Sequence, residues 1–133
     1  MKLDNLINNL SGLFYRRKND KNWTIEAISK GCFALTGYTR EDFLNGTVTL
    51  AQMIIAKDFN SISKQLQKAI INKVLFNIEY QITHKNGTVR SFLEQGQGVY
   101  DTNGNLTALE GFIQDITKQK GNYLKRKLEI RLY

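Results

Sequence analysis

Few side chains in this sequence could build a catalytic or metal-binding site. The chain has one cysteine, Cys32, and one histidine, His84. Structural zinc and iron–sulfur sites need several cysteine or histidine ligands, and nucleophilic catalysis needs a nucleophile held beside a base. Cys32 lies on the apolar side of a short predicted helix, and His84 lies beside a predicted turn where solvent reaches it. We therefore expect no enzymatic activity and no metal site.

The remaining candidates for polar chemistry are Glu94 and Tyr80. If Glu94 points into the core, its carboxylate is costly to bury unless it is paired, protonated or in contact with a ligand. Tyr80 could donate a hydrogen bond to the same ligand or to Glu94 itself. Alternatively, Glu94 lies on a solvated face or pairs with a backbone group, because strand periodicity does not decide its face.

The first half of the chain predicts two strands and a series of short helices. Residues 12–18 and 23–29 read as strands. The segment 47–59 has no clear period. Helix boundaries are predicted from capping signals: Ser29 opens a helix that Gly37 ends, Thr39 and Asp42 form a capping box, and Asp58 opens a helix over 59–73. That helix carries one apolar face, formed by Phe59, Ile62, Leu66, Ala69 and Ile70.

The second half of the chain predicts three strands joined by tight turns. Apolar and polar residues alternate from Phe76 to Thr83, and Asn86-Gly87 is a strong hairpin signal. The return strand runs to Tyr100, and "DTNGN" separates it from the last strand. Strands at both ends with helices between them predict an α+β domain in which the first and last strands share one sheet.

Composition and charge narrow the function classes further. The 133 residues are 41% hydrophobic and 23% charged, as in an ordinary globular domain. Residues 118–133 carry a net charge of +5, which leaves +2 for the preceding residues out of a total of +7. A nearly neutral body argues against nucleic-acid binding. A single cysteine and the lack of a long apolar run predict a cytoplasmic segment without membrane contact.

Five segments resemble the PAS domain family of bacterial sensory modules. They are "SKGCFALTGYTREDFLNG" (29–46), the helix opened by Asp58, "IEYQITHKNGTVRSFLEQG" (78–96), "VYDTNGN" (99–105) and "LEGFIQDITKQK" (109–120). The resemblance covers roughly residues 10–120. It implies a five-stranded antiparallel sheet with helices packed on one face. One departure is Gly121-Asn122, which interrupts the helix that usually follows the Asp-Ile-Thr motif.

The resemblance also implies where a small molecule would bind. A pocket, when present, lies between the inner sheet face and the long helix. Flavin-adduct relatives use a cysteine before the long helix and haem relatives use a histidine on it; both are absent here. We therefore expect neither cofactor, although an unknown small ligand remains open. The pocket residues implied by the resemblance are Ile78, Tyr80, Ile82, Phe92, Glu94, Leu109, Gly111 and Ile113, with Gly111 leaving space between strand and helix.

The domain boundaries and the output route complete the expectations. Residues 1–11 carry apolar side chains at helical spacing and predict an amphipathic helix. The resemblance implies a PAS domain over residues 12–117, and residues 118–133 are a basic exit segment. Asp115 and Thr117 are expected to cap the exit and to relay a signal to an output domain, with Asp115 pairing with Lys118 or Lys120; a cap without a relay role is the alternative. We predict a homodimeric sensory domain of a histidine kinase or diguanylate cyclase that binds a small molecule or a partner. The alternative is a ligand-free module for dimerisation or protein interaction.

Overall fold

The computed structural model describes residues 12–20 and 23–132, with side chains up to residue 128. The predicted N-terminal helix, residues 1–11, lies outside the described residues. The strands are β1 (Leu13–Lys18), β2 (Ile25–Ile28), β3 (Phe76–Thr83), β4 (Val89–Tyr100) and β5 (Leu106–Asp115). The helices are α1 (Cys32–Thr36), α2 (Arg40–Leu44), α3 (Leu50–Met53), α4 (Ala56–Asn72) and α5 (Thr117–Leu132).

The five strands form one antiparallel sheet in the order β2-β1-β5-β4-β3. The first and last strands are neighbours, with Tyr15 opposite Gly111. This arrangement confirms the predicted α+β fold and the shared sheet. Because β5 is the central strand, its C-terminal end connects the middle of the sheet directly to α5.

Period-two alternation sets the inner face of the sheet. Phe76, Ile78, Tyr80 and Ile82 are all buried, while Asn77 and Glu79 between them are exposed. Gly87 adopts φ 88°, a left-handed value that favours glycine, and closes the predicted hairpin. The strands pack their inner face against α1 to α4 through a single buried cluster.

Some of the predicted helix caps are present in the structure, but two of them are wrong. The Thr39–Asp42 capping box and the left-handed Gly37 C-cap are present as predicted. Ser29 is not a helix cap, because its hydroxyl accepts the N–H of Phe14 (2.8 Å) and fastens β2 to β1. Asp58 does not open α4 either: the helix begins at Ala56, and the Asp58 carboxylate accepts the N–H of Gln81 (3.0 Å).

The segment without a clear period contains a second capping box. The Thr49 hydroxyl accepts the N–H of Gln52, and the Gln52 side chain accepts the N–H of Thr49. This reciprocal pair opens α3. On α4 the predicted apolar face points inward at Ala69, which is buried, and at the partly buried Ile62, Leu66 and Ile70; Phe59 is exposed.

The exit helix α5 runs through Gly121-Asn122 without interruption, so the predicted break there is wrong. A Cβ at Gly121 would meet nothing, so the position is an exposed helical site where glycine costs about 1 kcal/mol relative to alanine. The remainder of the helix outweighs that cost. Among the described residues, no helix is long and apolar enough to cross a membrane.

Candidate functional site

A buried polar network lies at the centre of the inner sheet face. The Glu94 carboxylate accepts hydrogen bonds from the Tyr15 hydroxyl and from the Tyr80 hydroxyl (2.7 Å). Glu94 is only 8% exposed, so the predicted inward orientation is confirmed and the alternative of a solvated or backbone-paired Glu94 is wrong. Two phenol donors offset much of the cost of burying the carboxylate.

Tyr15 is the member of this network that the sequence analysis missed. Alternation along β1 places Leu13, Tyr15 and Arg17 on the same face, and this was the available signal. Gly111, opposite Tyr15, was expected to leave space between strand and helix. Instead it makes room within the sheet for the Tyr15 ring, since a methyl group at Gly111 would collide with the Tyr15 phenol.

Burial raises the pKa of both tyrosines well above the ordinary value, and the negative field of Glu94 raises each pKa further. Both phenols therefore remain hydrogen-bond donors across the physiological range. The network is a fixed donor–acceptor–donor unit, and it ties β1, β3 and β4 together through their side chains.

The eight residues of the predicted ligand pocket share one environment. Seven of them have relative exposures of 8% or less, and the Gly111 backbone is buried with them. They form the packed layer between the sheet and the helices. None of the eight lines the cleft of about 590 Å³ that opens between the β1–β2 hairpin and the α2–α3 segment. Their role in ligand binding stays a prediction.

Arg17 connects this cleft to the polar network. Its side chain lines the cleft, and its guanidinium carbon lies 4.6 Å from the centroid of the Tyr15 ring. Burial opposes the charge of Arg17, but the negative field of Glu94, together with smaller contributions from Tyr15 and Tyr80, outweighs it and raises the pKa of the guanidinium. A permanent cation thus borders both the cleft and the buried carboxylate.

A second group of polar contacts surrounds the start of α5. Asp115 Oδ1 accepts the Thr117 N–H (2.9 Å) and the Thr117 hydroxyl (2.5 Å). Thr117 Oγ1 in turn accepts the N–H of Ser91 (2.8 Å), and the Ile116 N–H donates to the Ser91 carbonyl (2.8 Å). The junction is therefore anchored to β4.

Asp115 pairs with Arg90 on β4, not with Lys118 or Lys120 as expected. Arg90 Nη2 lies 2.6 Å from Asp115 Oδ2, whereas Lys120 Nζ lies 3.6 Å from Glu79 Oε1. The expectation failed because it considered only partners close in sequence, and the sheet brings Arg90 nearer. Burial opposes ionisation of Asp115, but the hydrogen bonds from Thr117 and the Arg90 cation outweigh it and lower the pKa.

Packing connects the junction with the buried network. The Tyr80 and Phe92 rings meet edge-on, with centroids 6.2 Å apart. Phe92 lies directly opposite Asp115 in the sheet. One aromatic contact and one strand pairing therefore link Tyr80 of the network to Asp115 at the end of β5.

The single cysteine, Cys32, is buried in the core, and the single histidine, His84, lies in the β3–β4 turn. The Cys32 thiol is buried, and burial raises its pKa to about 11. His84 is half-buried rather than fully solvated, and its Nδ1 accepts the N–H of Asn86 (3.1 Å) in the hairpin turn. Within the part of the chain that the structure describes, no group of three His, Cys, Asp or Glu residues could hold a metal ion.

The fold and this inner-face site define a class of protein. The sequence profile of the PAS fold family matches residues 25–113, and the chain belongs to that family. PAS domains are sensory modules of signal-transduction proteins, not catalytic units themselves.

The chain is similar to several proteins whose names describe sensors or signalling proteins. A sensory box histidine kinase/response regulator from Burkholderia thailandensis aligns over 100% of both chains, with a TM-score of 0.75 at 16% identity. The N-terminal domain of a diguanylate cyclase with PAS/PAC sensor from Marinobacter aquaeolei covers 82% of this chain and 98% of that one, with a TM-score of 0.69 at 19% identity. A methyl sulfide methyltransferase-associated sensor from Methanosarcina acetivorans is 26% identical over 120 residues, which are 90% of this chain but 12% of that protein.

Proposed function

We propose that this chain is the input domain of a larger signalling protein of the histidine kinase or diguanylate cyclase type. It binds a small molecule on the helix side of the sheet and transmits the bound state through Asp115 and Thr117 to α5. The domain catalyses no reaction and carries neither haem nor flavin. Its partners are the output domain of the same protein and a second copy of the chain, without nucleic acid or membrane contact.

The observation that carries this proposal is the construction of the exit junction. A helix cap needs only one acceptor for one orphan N–H group. Here Asp115 also pairs with Arg90, and Thr117 also accepts from Ser91, so the first turn of α5 is fixed to β4 at two further points. Because Phe92 follows Ser91 on the same strand and packs against Tyr80, a shift of β4 would reorient α5. Two subunits could read that change as a change of helix register.

A ligand-free dimerisation module is the second candidate function. It is supported by the apolar side chains that α5 presents to solvent: Tyr123 is 64% exposed, Leu124 59% and Leu128 60%. Exposed apolar residues of this size favour burial against a partner. In this alternative the Tyr15–Glu94–Tyr80 network serves only to fill the core.

Output activity of the protein that carries this segment separates the two candidates. We would compare the response to its stimulus in wild type, Asp115→Ala, Thr117→Ala and the turn variant Asp101→Ala. Asp101 is a suitable control because its carboxylate likewise accepts two hydrogen bonds, here from two backbone N–H groups (both 2.9 Å), but it lies in the β4–β5 turn at the opposite end of β5 from α5. The proposal predicts a lost response in the two junction variants and a normal one in Asp101→Ala. A normal response in all three would reject the relay.

Native mass spectrometry of the purified chain tests whether the domain binds a small molecule. A small molecule that is retained under native conditions and released on denaturation supports a ligand sensor. A homodimer of bare mass that no small molecule stabilises against heat supports the dimerisation module. The sample is expected to be colourless, and a visible haem or flavin band that survives gel filtration would contradict the cofactor part of the proposal.

A further inference from the structure

The cleft between the β1–β2 hairpin and the α2–α3 segment has the properties of a ligand site. Its volume of about 590 Å³ lies within the roughly 300–1,000 Å³ of small-molecule sites. Aromatic and aliphatic side chains form much of its wall, among them Trp23, Ile25, Phe43 and Leu50. Among the described residues of the wall, Arg17 is the only charged one.

Arg17 lacks the anionic partner that an inward-facing guanidinium normally has. It points to the inner face of the sheet, and its Nε is sealed from solvent without a hydrogen-bond acceptor among the described residues. Its neighbour Arg16, on the outer face, contacts both Glu26 and Glu110. No described carboxylate forms an ion pair with Arg17. Glu94 attracts Arg17 without forming an ion pair with it, so the half-buried guanidinium is free to pair with an anion that enters from the cleft.

Trp23 adds a second unusual feature to the same wall. Its backbone has φ 49°, in the left-handed region that is rare for a bulky residue. Such strain persists where the surrounding structure requires it and is common at ligand sites. The conformation keeps the half-buried indole at the edge of the cleft, opposite the apolar residues of α2 and α3.

We propose that this cleft binds an organic monocarboxylate with an apolar body, whose carboxylate pairs with Arg17 and whose body packs against Trp23 and Phe43. The planar guanidinium matches a carboxylate with two parallel hydrogen bonds. One cation balances one negative charge, whereas a phosphate dianion would leave a charge unbalanced in a wall that has no second charged residue among those described. This inference deepens the proposed sensory function and rests on it, but it moves the ligand away from the eight predicted pocket residues.

The position of Arg17 also explains how such a ligand would be sensed. The guanidinium stacks on Tyr15, which donates to Glu94, which accepts from Tyr80. A carboxylate that draws Arg17 toward the cleft weakens its attraction to Glu94 and its contact with the Tyr15 ring. The ligand therefore acts on the buried network without entering it.

Trp23 provides a direct assay, because it is the only tryptophan of the chain. Its fluorescence would be followed while 3-phenylpropionate is added at constant ionic strength. The neutral 3-phenylpropionamide and inorganic phosphate serve as comparison ligands. We expect a saturable change with 3-phenylpropionate and an affinity at least about tenfold weaker for the amide and for phosphate, as expected for the loss of one charge-assisted pair. No saturable change with 3-phenylpropionate, or equal binding of acid and amide, would overturn the proposal.

Two variants locate the carboxylate. Arg17→Met should weaken 3-phenylpropionate binding at least about tenfold. Arg16→Met removes the same charge from the other face of the same strand and should leave the affinity within about twofold of wild type. Equal effects of both variants would mean that only net charge matters and would overturn the proposal. Should Arg17→Met fail to fold, the comparison of acid and amide on the wild-type chain still decides.

Two combinations of results distinguish a failure of the carboxylate inference from a failure of the proposed function. If native mass spectrometry finds a retained neutral molecule while 3-phenylpropionate leaves Trp23 fluorescence unchanged, the carboxylate inference is wrong and the sensory function stands. If 3-phenylpropionate binds through Arg17 while junction variants leave output responsive, the ligand site stands and the relay through Asp115 is wrong.

Discussion

Replacing Asp115 with alanine should loosen the exit helix selectively. The substitution removes two hydrogen bonds from Thr117 and the contact with Arg90 at 2.6 Å. Loss of a helix cap costs about 0.5–2 kcal/mol, and a partly exposed ion pair adds about 0–1 kcal/mol. Arg90 can regain water because its side chain is 35% exposed. We therefore expect the free energy of unfolding to fall by about 0.5–3 kcal/mol.

The assay combines urea unfolding with amide hydrogen exchange, and Asp101→Ala is the control. In Asp115→Ala, amides in the first turns of α5 should exchange faster than the overall loss of stability explains, because their anchor to β4 is gone. In Asp101→Ala, the additional exchange should appear in the β4–β5 turn and leave α5 unchanged. The reasoning would be refuted if α5 exchanged in Asp115→Ala as it does in wild type.

Three further perturbations test other parts of the structure. Glu94→Gln should lower the free energy of unfolding by about 1–3 kcal/mol, because one buried phenol loses its acceptor; a change below about 0.5 kcal/mol in urea unfolding would argue against the network. Gly111→Ala should lower the free energy of unfolding by about 1–3 kcal/mol, because the added methyl group pushes against the Tyr15 ring. Gly121→Ala on the open face of α5 should raise the free energy of unfolding by up to about 1 kcal/mol. The reverse order of melting temperatures would contradict the packing. The lowered pKa of Asp115 contributes stability above about pH 4, and this contribution is lost as the pH falls through the folded-state pKa. Wild type should therefore lose more stability than Asp115→Asn between about pH 5 and pH 2. Parallel profiles of stability against pH would contradict this.

Short-range signals in the sequence predicted most of the fold. Alternation along β3, the Asn86-Gly87 turn and the Thr39–Asp42 capping box depend on neighbouring residues, and all three are present in the structure. Ser29 and Asp58 have the same side-chain chemistry as helix caps, yet both accept backbone N–H groups of strands that lie elsewhere in the sequence. A capping pattern cannot reveal that competition, because the alternative donor is supplied by the tertiary fold.

In the functional site, too, local signals predicted some residues, whereas only the tertiary fold brings the others together. Resemblance to the family placed Glu94 and Tyr80 inward, and local alternation was compatible with that face. Tyr15 and Arg17 are distant in sequence from both residues and reach them only because β1 pairs with β5. The pairing of Asp115 with Arg90 likewise depends on the β4–β5 register. Contacts across the sheet therefore determine both the polar network and the exit junction.

The central claim is that a change at the inner sheet face reaches α5 through the Asp115–Thr117 junction. Hydrogen exchange of α5 in Glu94→Gln, measured alone and combined with Asp115→Ala, tests it directly. The account predicts that Glu94→Gln alters exchange at the start of α5 beyond its overall effect on stability, and that this additional change disappears when Asp115 is alanine in both chains being compared. If Glu94→Gln alters exchange in β3 and β4 but leaves α5 unchanged, the proposed route from network to exit helix is contradicted.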